Sequence, residues 1–88
     1  MLIRSQDKTR IRPLSTCLEI YVRDCYVVID GADYGEYSTH EKAIKVMDMI
    51  CDFYAEHLEE TNNDKELFVR AVFYMPQDDW VHWILVYQ

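Results

Sequence analysis

One segment constrains the fold more than any other. Ser38-Thr39-His40-Glu41 has the pattern of a capping box, with Ser38 set to accept the Glu41 backbone N–H and the Glu41 carboxylate to reach back. Behind it, Ala43, Ile44, Met47, Ile50, Cys51, Tyr54 and Leu58 recur at helical spacing. This spacing predicts one amphipathic helix of about 20 residues, closed by Asn62-Asn63 because asparagine tolerates left-handed backbone angles.

The segments on either side read as strands. Leu2–Gln6 is short and extended, with a turn at Asp7-Lys8. Pro13 cannot donate to a ladder, so Ile11–Ser15 is a turn or an edge. Cys17–Arg23 alternates, placing Leu18, Ile20 and Val22 on one face. Arg23-Asp24 turns into Cys25–Asp30, Asp30-Gly31 is a hairpin signal, and Tyr34–Tyr37 returns. Leu67–Met75 is a further β run stopped by Pro76, and Trp80–Tyr87 is expected to be a central or interface strand. With no repeat and no linker, residues 1–88 are expected to form a single α+β domain. The expected architecture is an antiparallel β-sheet packed against one long amphipathic α-helix.

Charge narrows the function. Sixteen acidic against nine basic side chains give a formal charge of −7. That balance opposes direct binding of nucleic acid or an acidic membrane, and the only basic concentration is Arg4, Lys8, Arg10 and Arg12. A basic protein or nucleoprotein surface is the expected partner. The three cysteines, Cys17, Cys25 and Cys51, lack CxxC spacing. They read as reduced, mostly buried thiols in a cytoplasmic protein. No apolar h-region opens the chain, and no apolar stretch nears the ~20 residues of a membrane span.

No catalytic residues, metal ligands or cofactor sites are expected. His40, His57 and His82 lie in no nucleophile motif, and GxSxG, Gly-rich phosphate loops and HExxH are absent. Asp30, Asp33 and Glu36 bracket one turn, where aspartate bonding its own backbone is the ordinary role. The more distinctive constellation is Asp48, Asp52, Glu56 and Glu59, three or four residues apart. On a helix such positions stack about 5–6 Å from one another. The row reads either as a solvated face or, with Asp30, Asp33 and Glu36, as a surface for a groove lined with arginines. The aromatic residues crowded after Leu67 form a second constellation. There Trp80, Trp83, Leu85 and Tyr87 would make a self-pairing edge strand in a homodimer. A third reading is a small-ligand pocket between helix and sheet built from Tyr21, Tyr54 and Arg70.

Three segments together, Ile3–Lys8, Gly35–Ile50 and Met75–Asp79, resemble small acidic accessory proteins of Gram-positive bacteria, their prophages and mobile elements. The resemblance spans most of the chain to Asp79 and does not extend over residues 80–88. It implies a non-enzymatic factor that inhibits a host nucleic-acid-binding defence complex, in the manner of anti-CRISPR proteins. The alternatives are a homodimeric regulatory module or a protein that sequesters a small nucleotide ligand.

Overall fold

A computed structural model describes residues 1–61 and 71–87, with the side chains of α1 described through residue 56. The strands are β1 (Leu2–Arg4), β2 (Ile11–Pro13), β3 (Ile20–Arg23), β4 (Tyr26–Ile29), β5 (Ala32–Glu36) and β6 (Val72–Tyr74). A 3-10 turn, Leu14–Thr16, follows β2, and the helices among the described residues are α1 (His40–Thr61) and α2 (Asp78–Val86). The chain is thus mixed α and β, but it differs from the expected architecture in two ways. The described residues form two three-stranded sheets rather than one, ordered β2-β1-β6 and β3-β4-β5, and β1 pairs with β6 in parallel. The last run is a helix, not a strand.

The second sheet is a meander built by local turn chemistry. Asp30 and Gly31 both take left-handed angles, φ 49° and 83°, as a two-residue hairpin turn requires. Asp24, also left-handed at φ 55°, starts the β3–β4 turn one residue later than the sequence suggests. In β5 the register jumps, with Val27 opposite Gly35 and Val28 opposite Asp33, so Tyr34 is the extra residue of a bulge. Gly35 follows because the backbone is crowded there. A Cβ would lie 2.8 Å from Tyr37 Cε2 and 2.9 Å from Met75 Cε.

In α1, the residues facing the core are Ala43, Val46, Ile50 and the half-buried Met47, Met49 and Phe53. The buried stripe is rotated from the expected one, leaving Ile44, Cys51 and Tyr54 exposed. The cap is also displaced by one residue. Thr39 Oγ1 accepts the Lys42 N–H at 3.2 Å, so Thr39 is the capping residue and Ser38 precedes it. Ser38 instead accepts from Lys42 Nζ, and Leu18, expected inward, is 95% exposed.

One core joins the elements: Met1 and Ile3 beside β1, Val27 and Ile29 of β4, Tyr34 and Tyr37, the α1 stripe, Phe73, Met75 and Val81 of α2. Phe53 meets Phe73 edge-on at 5.4 Å, fixing α1 against β6. Gln6 ties the two sheets. Its N–H donates to Tyr34 O at 2.8 Å, its Oε1 accepts the Glu36 N–H at 2.8 Å, and its Nε2 donates to Pro76 O at 3.3 Å.

Candidate functional surfaces

The three segments singled out in the sequence converge on one polar junction. Gln6 meets Pro76, and Gln77 Nε2 donates back to Gln6 O at 2.9 Å. The Tyr37 hydroxyl donates to Pro76 O at 2.8 Å. Burial, reinforced by the nearby Asp78 carboxylate, pushes that phenol well above the ordinary tyrosine range. Asp78 accepts the Ser38 N–H at 2.8 Å and pairs with Lys42 Nζ at 3.0 Å. The Ser38 N–H and Lys42 hold this carboxyl below its usual range, although partial burial opposes them. Every named group here is satisfied by another, so the junction fastens β1, β5, α1 and α2 together. It is a structural joint that leaves no reactive atom poised for chemistry.

The hairpin carboxylates are engaged in the same way. Asp30 pairs with Arg12 at 2.8 Å and accepts the N–H groups of Leu18 and Glu19, both at 2.9 Å. Those amides, Glu19 first, keep its carboxyl below the usual range. Asp33 lies 3.3 Å from Arg23, and Glu36 Oε2 accepts the Tyr26 hydroxyl at 2.7 Å. These three acids therefore have neighbours inside the chain.

The helical row differs. Asp48, Asp52 and Glu56 are exposed along α1, and none of them makes an ion pair among the described residues. The Glu59 side chain lies outside the described residues.

The aromatic constellation is rearranged by the change from strand to helix. On α2, Val81 is fully buried and Ile84 and Leu85 are half-buried, so Leu85 faces the core rather than a partner. Trp80, Trp83 and Tyr87, spaced i, i+3, i+7, lie on one flank and are 60%, 54% and 72% exposed. Trp83 and Tyr87 stack with centroids 4.9 Å apart at 12°. Self-pairing through a terminal edge strand is excluded, since these residues offer no strand edge.

Of the small-ligand residues, Tyr54 lines a shallow depression of about 240 Å³ with Leu14, Cys17, Leu18 and Ile20. Tyr21, on β3, is not part of that lining, and Arg70 lies outside the described residues. His40 Nδ1 contacts the Asp24 carbonyl, which accounts for this side chain structurally, and His82 is exposed on α2. Cys17, half-buried, has its thiol pushed up by burial, while Cys51 is exposed, against the expectation of mostly buried thiols. No described helix is long and apolar enough to cross a membrane. Compared with known proteins, the chain matches no family model, no curated protein and no solved structure.

Proposed function

We propose that this chain is a non-enzymatic, protein-binding factor of a phage or mobile element, which inhibits a host nucleic-acid-binding defence complex by occupying a cationic surface. One observation carries the reading. A nine-residue helix buries Val81 yet holds two tryptophans, with Tyr87 as its C-cap, more than half exposed on a single flank. Water-exposed Trp and Tyr are costly to leave uncovered, and these are the residue types that dominate interface hot spots. The Trp83–Tyr87 stack fixes both rings, so less side-chain freedom is lost on binding. Asp48, Asp52 and Glu56, which make no ion pair among the described residues, and the net charge of −7 favour a basic partner and disfavour a second copy of this acidic chain.

The test is capture of partners from a host lysate after nuclease treatment, followed by affinity measurement on the purified complex. Trp83→Ala should weaken binding by more than about tenfold, as loss of a hot spot does, with an unchanged circular dichroism spectrum. Asp48→Lys with Asp52→Lys should slow association and flatten its salt dependence. Retention of full affinity by both variants would refute the reading. Self-association through the same aromatic flank is the competing reading, favoured by the exposed stacked rings, and light scattering of the Trp80→Ala variant separates the two.

A further inference from the structure

The first sheet leaves a face that the interaction surface above does not use. In its register Ile11 lies opposite Arg4, and Arg4 opposite Tyr74. Neighbouring partners on adjacent strands project from the same face. The alternate positions Ile3 and Phe73 are buried, so the Ile11–Arg4–Tyr74 row lies on the outer side. Lys8 and Arg10 come from the β1–β2 connection and, with Val72, complete the walls of a depression of about 270 Å³.

Three features make this more than a scatter of surface charge. Among the described residues no carboxylate lines the depression, although the chain has 16 acidic residues against 9 basic ones. Elsewhere Arg12, Arg23 and Lys42 are each ion-paired, whereas Arg4, Lys8 and Arg10 make no ion pair among the described residues. The backbone of the turn also fastens one of the cations, Arg4. Arg4 Nη2 donates to Lys8 O at 3.2 Å, and Lys8 sits at the turn with a left-handed φ of 67°. Asp7, the one acid of this turn, is spent on Ser5 Oγ, Thr9 Oγ1 and the Thr9 N–H, and it lines a different depression.

Like charges gathered with only Asp7 acting on one of them, Arg10, are stabilised by an anion. Beside them Tyr74 offers a ring that is 63% exposed. We infer that the outer face of the first sheet binds a nucleoside monophosphate, with Arg4, Lys8 and Arg10 around the phosphate and the base lying on Tyr74. Guanidinium groups match phosphate in charge and geometry, and a base stacks on an aromatic ring without needing base-specific contacts. The cavity falls below the ~300 Å³ at which pockets enclosing whole drug-sized ligands begin. It therefore holds the phosphate and sugar and leaves the base on the open ring. A long strand is disfavoured, because three cations on a chain of −7 gain little from counterion release.

The experiment is NMR titration of the full chain with AMP and GMP, with adenosine, inorganic phosphate and a single-stranded oligonucleotide as separate arms. Shifts confined to the amides of residues 8–11 and 72–74 are expected with both nucleotides, with weaker ones from phosphate. Arg10→Glu should weaken AMP binding by about tenfold or more, the loss of a charge-assisted contact. Tyr74→Ala should weaken AMP but not phosphate. Absence of shifts at millimolar nucleotide, indifference to Arg10→Glu, or tighter binding of the oligonucleotide than of AMP overturns the proposal. Trp83→Ala, which tests the protein-binding surface, should leave the titration unchanged, so failure of one reading does not imply failure of the other.

Discussion

At the scale of the residue, the acids divide into those turned toward their own chain and those left to solvent. Asp7 accepts from the Ser5 hydroxyl and from the hydroxyl and amide of Thr9, and these bonds, Ser5 first, lower its carboxyl to about 2. Asp30 and Asp78 are held down by backbone N–H donors. A carboxyl depressed in the folded state contributes stability that is fully present above its unfolded value, roughly 4, and is lost as pH falls through the folded value. The melting temperature should therefore be level from neutrality to about pH 5 and decline below about pH 4. In Asp7→Asn that decline should be shallower, and a scan of melting temperature against pH checks it. The turn role of Asp30 was legible in the sequence because Asp-Gly turn chemistry is local. Its grip on Arg12, Leu18 and Glu19 was not, because no spacing rule reaches from one hairpin tip to a distant loop.

Among the elements, α1 was the most readable and α2 the least. Twenty-two residues of helical periodicity outweigh local ambiguity. The stripe was still misassigned by a rotation, since Val46, Met49 and Phe53 fit a helical face as well as Ile44, Cys51 and Tyr54 do. Only the position of the core decides between them. The cap gives a direct check. Thr39→Ala should cost about 1 kcal/mol, whereas Ser38→Ala should stay within roughly 0.5 kcal/mol, both read from urea unfolding midpoints at constant m-value. The reverse order would return the cap to Ser38. For α2, nine residues of mostly branched and aromatic side chains cannot be told from a buried strand by periodicity. The usable signal was the pair Asp78-Asp79, which suits the positive end of a helix dipole, followed by Val81 and Leu85 four apart. The candidate surface changed accordingly. Trp80, Trp83 and Tyr87 are exposed, but Leu85 turns inward and the expected edge strand is a helix.

For the molecule as a whole, the order of helical and β patterns indicates a mixed α and β chain, while the division into two sheets follows from contacts no local pattern encodes. The parallel pairing of β1 with β6 joins residues about 70 positions apart, such as Ile3 and Phe73. Gln6 then couples this sheet to the other through Tyr34, Glu36 and Pro76. Gln6→Ala removes both side-chain bonds, and because water can reach the exposed Glu36 N–H the loss should be about 0.5–1.5 kcal/mol. If this residue couples the sheets into one cooperative unit, the variant should also unfold with a lower m-value. An unchanged m-value would show that the sheets stay coupled without it.

The position of β1 between β2 and β6 has a consequence for synthesis. During translation, β1 must wait for a neighbour made about 70 residues later, while the β3–β5 meander can close as soon as it leaves the ribosome. Until Val72–Tyr74 arrive, one rim of β1 keeps its amides and carbonyls unsatisfied and open to any passing polypeptide. The nascent chain thus passes through an interval when chaperone cover matters most, and that interval closes with the arrival of β6.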